Sequence, residues 1–296
     1  MTDTNKNIFY FLLFLAMFAW GASWVNVKVL SSYINEFETM FFRFFITAIT
    51  MIPIILYLKK SFKIDLKSFL LVVVTAIVFI LYMKYFFLGT KYGTASLGGA
   101  FVTTLIPINT FLILAFFKER KITKKDAFAL FIGALGVMTI LNVWSFNSEE
   151  IFLKQNFYFI LASIFWPIIT ILSSKSSKIS PIVFTFYLYL VTSILNILFF
   201  VDLTTIDYGS FDKIFYINIF ILSIISSTYA NTIYFLGIEK LGAREVSSFI
   251  FFVPFSAIVL SAIFLKEHIN LSIIIGTILT ITAIKILNNI KLFKRL

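Results

Sequence analysis

Phe87-Leu88-Gly89-Thr90-Lys91-Tyr92-Gly93-Thr94-Ala95 has a counterpart later in the chain, Phe235-Leu236-Gly237-Ile238-Glu239-Lys240-Leu241-Gly242-Ala243. The residues downstream of each stretch also match. Each runs into an apolar segment with a single interior proline, Pro107 or Pro254, and each segment ends in a charged triplet, Lys118-Glu119-Arg120 or Lys266-Glu267-His268. The offset is about 148 residues, half of the 296-residue chain, with one-residue slips. A weaker match pairs Ala19-Trp20-Gly21 with Phe165-Trp166-Pro167. Glycine, proline and triplet recur in order, which similar composition alone does not produce, so the chain reads as a duplication. The first copy is placed at 1–145 and the second at 146–296.

Composition decides the solvent around these copies. Hydrophobic residues make up 60% of the chain and charged residues 13%, with a mean hydropathy of +0.99. A soluble domain is usually about 45–50% apolar and about 25% charged. This chain lacks the polar residues that would cover a water-facing surface, so it reads as an integral membrane protein. The absence of Cys excludes disulfides, thiolate metal sites and a cysteine nucleophile, and a single His leaves no cluster for metal or relay chemistry. No metal site, cofactor or catalytic group is expected. The net charge of +11 points to anionic headgroups on the cytoplasmic side rather than to nucleic acid.

A helix needs about 20 predominantly apolar residues to cross the hydrocarbon core. Ten such runs occur: Ile8–Val27, Phe37–Leu58, Ser68–Thr90, Tyr92–Phe117, Ala127–Ser148, Gln155–Ser174, Ile179–Val201, Ile214–Ile238, Val246–Leu265 and Ile269–Ile290. None shows the strict alternation of a barrel strand. The first run is too long for a signal-peptide core and lacks a convincing cleavage site. An even number of spans puts both termini on one side. If that side is the cytoplasm, 17 basic residues fall inside and 4 (Lys91, Lys154, Lys213 and Lys266) outside. That asymmetry predicts a multi-pass protein of the inner (cytoplasmic) membrane with both termini cytoplasmic. Five spans per copy is an odd number, so the second copy is expected upside down relative to the first. Inverted five-helix repeats are characteristic of secondary transporters, which bind substrate near the midplane where the repeats meet.

The sequence resembles the EamA-type family of the drug/metabolite transporter superfamily. The resemblance rests on Trp20-Gly21-Ala22-Ser23 with Lys28, on Arg43-Phe44, on Tyr92-Gly93-Thr94-Ala95-Ser96 leading to Pro107, and on Lys118-Glu119-Arg120, with second-half counterparts of the last two stretches. It covers nearly the whole chain. It implies an all-α polytopic membrane protein of ten transmembrane helices, both ends cytoplasmic, that exports or exchanges small metabolites. The second half departs from the pattern at Trp166-Pro167 and at His268.

Charges inside spans need a reason, because a Lys or Arg at a helix centre costs roughly 2.5–3.5 kcal/mol. Lys28, Arg43 and Lys84 all lie toward the predicted outer third of the first repeat. Arg43 is on the order of 9 Å below the outer boundary, and the alternative to a substrate role is snorkelling to the outer headgroups or pairing with Glu36 and Glu38. Lys285 is expected to snorkel inward. No Asp or Glu lies deep in any span. A carrier of cations would want a buried acid; here the buried charge is positive. The expected substrate therefore carries a carboxylate or another anionic group, met by Lys84 and Arg43. Polar and aromatic residues expected along the path are Trp20, Trp24, Asn26, Tyr82, Trp166, Tyr187, Tyr229 and Asn231. Pro107 and Pro254 each remove a backbone hydrogen bond and mark helix breaks, expected to act as hinges at the cavity.

The reading is thus a secondary transporter, exporter or exchanger, of a small organic metabolite such as an amino acid. Multidrug or cationic-compound efflux is the alternative, with a non-transporting membrane protein behind it. Its partners are a small-molecule substrate and the lipid bilayer, as a monomer or a homodimer, with no nucleic acid. No nucleotide-binding loop occurs, so direct use of ATP is not expected. An enzyme would need a nucleophile–base pair or metal ligands, and neither is legible.

Overall fold

A computed structural model gives the fold. It describes residues 3–117, 122–145, 148–176, 179–241, 246 and 248–287, and among these there is no strand. In the first half α1 covers Asp3–Leu30, α2 Glu36–Tyr57, α3 Leu66–Tyr92, α4 Ala95–Phe116 and α5 Lys124–Ile140. In the second half α6 covers Lys154–Ser174 and α7 Pro181–Phe199. α8 has three consecutive parts: Lys213–Phe220, a π-helical stretch Ile221–Tyr229, and Ala230–Leu241. α9 is Phe252–Phe264, entered through a 3₁₀ turn at Ser248–Phe251, and α10 is Leu271–Leu287. The Lys118-Glu119-Arg120 triplet, Gly242-Ala243-Arg244, Ser247, Lys178 and the basic residues Lys291, Lys294 and Arg295 lie outside the described residues.

Seven helices, α1 to α4 and α6 to α8, have the length and apolar composition to cross a membrane. α9 and α10 are shorter apolar helices, and α5 has 17 residues. Several first turns are closed by side chains, which satisfy backbone donors that a helix leaves open at its start. Asn35 and Glu38 form a capping box on α2, Thr123 and Asp126 form another on α5, and Asp65, Thr94 and Asp212 cap α3, α4 and α8. The burial pattern is that of a bundle solvated by lipid. Phe11, Leu56, Phe131, Phe157, Leu198 and Ile278 expose more than half of their surface, while Arg43, Thr47, Thr192, Ser226 and Ser227 are buried.

The two halves interleave. α1 packs on α8 and α9, while α6 packs on α3 and α4. α2 packs on α7, α4 on α9 and α5 on α10, and the contact of α2 with α8 is matched by that of α7 with α3. These pairings are unchanged when every helix is exchanged for the one five places along, a pseudo-twofold pattern of helix pairing. In the α5–α10 seam backbone meets backbone. A Cβ on Gly276 would stand 2.5 Å from the Gly136 carbonyl oxygen, so only glycine lets the backbones meet there.

The π-helical stretch of α8 lies against α1 and α2. Its hydroxyls bond five residues back, Ser227 Oγ to the Leu222 carbonyl at 2.9 Å and Thr228 Oγ1 to the Ser223 carbonyl at 3.1 Å. Neighbours tie it laterally. Thr47 Oγ1 donates to the Ser223 carbonyl at 3.0 Å, and Ser226 Oγ donates to the Ala19 carbonyl at 2.5 Å. Such widened turns are frequent at functional sites.

Candidate functional site

Arg43 is the anchor. Its side chain is 6% exposed and runs toward the middle of the bundle, not back to the predicted outer surface. Nε donates to Ser227 Oγ at 2.9 Å, and Nη1 approaches Met83 Sδ at 3.9 Å. The guanidinium carbon stands 5.1 Å from the Phe44 ring centroid. Among the described residues no carboxylate pairs with it. Glu38, a partner the sequence offered, instead accepts from the Asn35 backbone N–H at 2.8 Å. A guanidinium carries five N–H donors, and among the described residues oxygen acceptors take only one.

Around Arg43 stand Tyr82 from α3, Tyr189 from α7, Asn231 from α8 and Trp166 from α6. The Tyr189 ring stacks on Phe44 at 4.8 Å, and the Tyr82 ring lies 4.8 Å from Trp166. Asn231 Nδ2 donates both to the Tyr189 hydroxyl at 2.7 Å and to the Ser227 carbonyl at 2.7 Å. Because the Tyr189 oxygen already accepts, its proton is free to donate onward. The cluster is thus rich in donors and positively charged. It fits an anionic, acceptor-rich group, and a bare cation would find no counter-charge in it.

Other residues singled out by sequence lie elsewhere. Lys84 is half-buried with Nζ 5.8 Å from the Phe37 ring, which itself stacks on Phe200; it does not join Arg43. Trp24 is 3% exposed and edge-on to Phe86 at 4.2 Å, a core position. Trp20 packs on Tyr234 at 5.2 Å in a separate apolar cluster with Tyr229, whose hydroxyl donates to the Leu12 carbonyl at 3.2 Å. Tyr187 fastens α7 to the loop before α3 through the Phe62 carbonyl at 2.6 Å. Asn26 is buried and its Nδ2 has no partner, an open donor in α1. Lys28 does not reach for headgroups; it donates to the Lys91 and Gly93 carbonyls at 2.8 and 2.6 Å.

The two proline helices cross their neighbours at equivalent points. Beyond Pro107, Asn109 Nδ2 donates to the carbonyl and hydroxyl of Ser163 in α6 at 3.1 and 2.9 Å. Beyond Pro254, Ser256 Oγ reaches the Met17 carbonyl of α1 at 3.3 Å, where Gly21 leaves no room for a Cβ. The pairs 109–163 and 17–256 are related by the repeat offset.

Tyr189, Ser227 and Met83 are site neighbours that the sequence reading did not select. The local signal was the run Ser226-Ser227-Thr228 in the span that also carries Asn231. Near the predicted outer end, Asp212 accepts from the Phe215 N–H and the Tyr33 hydroxyl, both at 2.9 Å. The backbone donor first, then the phenol, hold its carboxyl below the ordinary value of 3.8. A surface groove of about 580 Å³ between Phe211, Tyr216 and Phe220 lies elsewhere, away from Arg43.

Interleaved apolar helices, seven of them long and apolar enough to cross a membrane, mark a polytopic membrane protein, and the comparisons with known proteins make its class a transporter. The EamA-like transporter family matches residues 7–142 and again 153–289. The chain belongs to that family, in two copies. It is 29% identical over 190 residues to an S-adenosylmethionine uptake transporter of Rickettsia bellii (strain RML369-C), covering 62% of this chain and 61% of that protein. The match therefore spans less than two thirds of that relative's length. An uncharacterized transporter of Bacillus subtilis (strain 168), YyaM, is 24% identical over 291 residues, covering 95% of this chain and 93% of its own. A solved crystal structure superposes with a TM-score of 0.62 at 13% identity, over 95% of this chain and 96% of that one, a likeness of fold.

Proposed function

We propose that this protein is a secondary transporter, exporter or exchanger, of a small organic metabolite bearing a carboxylate, working by alternating access. Ten spans in two inverted five-helix repeats, both termini cytoplasmic, complete the reading. The observation that carries it is Arg43: a guanidinium buried at the centre of the bundle, with Tyr82, Tyr189 and Asn231 around it and no acid paired to it. Removing a charge partner from such a site is costly, so an arriving carboxylate gains what the protein withholds. The pseudo-twofold pairing of helices supports the repeat reading, and the paired crossings beyond Pro107 and Pro254 support hinges there. S-adenosylmethionine, named for the Rickettsia relatives, carries an α-carboxylate beside an ammonium and a sulfonium, so it is tested together with a neutral amino acid that has the carboxylate without the sulfonium.

Counterflow in proteoliposomes tests the proposal. Uptake of labelled substrate is expected to saturate and to be stimulated by unlabelled substrate loaded on the far side. Arg43→Met is expected to lower uptake by about a hundredfold, and Arg43→Lys to retain part of it, since losing a partner of a buried charge pair costs about 3–5 kcal/mol. Carboxylate transport unchanged in Arg43→Met removes Arg43 from the site. Transport of cations alone moves the reading to the efflux alternative.

A further inference from the structure

The turn between α3 and α4 is held at both ends by charges from elsewhere in the chain. On the α4 side, Glu267 lays its carboxylate over the helix start. It accepts from the Ala95 N–H at 2.8 Å, the Ser96 N–H at 2.9 Å and the Ser96 hydroxyl at 2.6 Å. On the α3 side, the Lys28 ammonium sits on the Lys91 and Gly93 carbonyls. Each charge is at the dipole end that favours it, an anion at a helix N-terminus and a cation at a C-terminus. The two side chains also attract each other across the turn. Glu267 belongs to the second half and its partners to the first, 171 and 172 residues away.

The backbone is bent to deliver that carboxylate. After α9 ends, Lys266 takes φ 57°, a left-handed conformation that suits glycine. The Leu265 and Glu267 N–H groups then both return to the Ser261 carbonyl, at 3.0 and 3.3 Å. A lysine held left-handed costs on the order of 1 kcal/mol, and here it aims the next side chain at α4. Below this turn the bundle is shut. Val27 is 1% exposed, and the pit between Val27, Ser31, Ile34 and Phe87 measures about 10 Å³, at the lower limit for one water.

We propose that Glu267, seated on the α4 N-terminus and supported by Lys28, is a latch between the two halves that keeps this end of the bundle closed over the Arg43 cluster. The latch rests on the alternating-access reading: opening this end requires the carboxylate to leave Ala95 and Ser96. Three hydrogen bonds to a carboxylate make the closed state favoured, and water competing at the rim makes them breakable.

The chain's lack of cysteine allows a direct test. Single reporters are placed at Val27→Cys beneath the latch and at Leu13→Cys, fully buried toward the other end of α1. The purified protein in lipid nanodiscs is labelled with a charged methanethiosulfonate reagent. Adding Glu267→Ala is expected to speed labelling at Val27→Cys by on the order of tenfold or more, the response to losing hydrogen bonds to a charged group, and to leave Leu13→Cys unchanged. Glu267→Gln, which keeps the shape and loses the charge, is expected to give an intermediate rate and serves alone if the alanine variant does not purify. No acceleration at Val27→Cys overturns the latch. Equal acceleration at both reporters also overturns it, since that is general loosening. Labelling needs no substrate, so the latch can fail while counterflow succeeds, and the reverse.

Discussion

Arg43 shows how far one residue can be read from sequence and where reading stops. Its identity and depth were legible: an arginine several residues inside an apolar run needs a partner or a purpose. Tyr82, Trp166 and Asn231 are among the residues expected along the path, but Tyr189 and Ser227 were not legible, because they come from helices 146 and 184 residues away and no local pattern brings them to it. Lys84 shows the opposite case. Its sequence signal equalled that of Arg43, yet its stem turns toward Phe37. Side-chain direction on a helix depends on packing that a linear pattern does not hold. Tyr189→Phe is expected to leave the fold intact, to orphan one N–H of Asn231, and to remove a donor from the site. Substrate half-saturation in counterflow is expected to rise by about tenfold, the effect of about 1–2 kcal/mol from a lost buried hydrogen bond. An unchanged half-saturation places the tyrosine outside the binding face.

At the scale of the element, the long apolar runs correspond to helices because lipid leaves the backbone no alternative to internal hydrogen bonding. The capping residues mark their starts well, as Asn35-x-x-Glu38 and Thr123-x-x-Asp126 do. The π-helical stretch of α8 was not legible. Nothing in Ile221–Tyr229 differs from an ordinary span except its hydroxyls, and the widening comes from carbonyls recruited by Thr47 and Thr228. Which helix meets the glycines of α5 was not legible either. Gly276→Ala is expected to push the α5–α10 seam apart and destabilise the protein by about 1–3 kcal/mol, since the new methyl meets backbone that cannot rotate away. Thermal unfolding in detergent measures this; a midpoint at or above that of the parent shows that the seam can yield.

Across the whole molecule, the duplication was legible because the glycine, proline and triplet recur in order. The interleaving of the halves was not, since sequence similarity between copies says nothing of how they touch. Their mutual packing has a consequence for stability. α3 buries a face on α6, α2 on α7 and α1 on α8, so neither half covers its own contact surfaces. Residues 1–145 expressed alone are expected to be degraded, and co-expression with 146–296 as a separate chain is expected to restore both fragments to the membrane. Stable accumulation of the first fragment by itself, monomeric in detergent, counts against this interdependence.

The bond from Arg43 to Ser227 spans 184 residues, and that length is also a delay. A ribosome adding about 5–20 residues per second needs about 10–40 seconds to make the rest of the distance. Through that interval α2 resides at the translocon or in the bilayer with its arginine unmatched by its final neighbours. The nascent chain must therefore hold that charge near water, headgroups or an insertion factor until the second half arrives. Biogenesis is the stage at which this charge is most exposed to failure, and a slowed second half should lower the yield of membrane-integrated protein before it touches any property of the finished carrier.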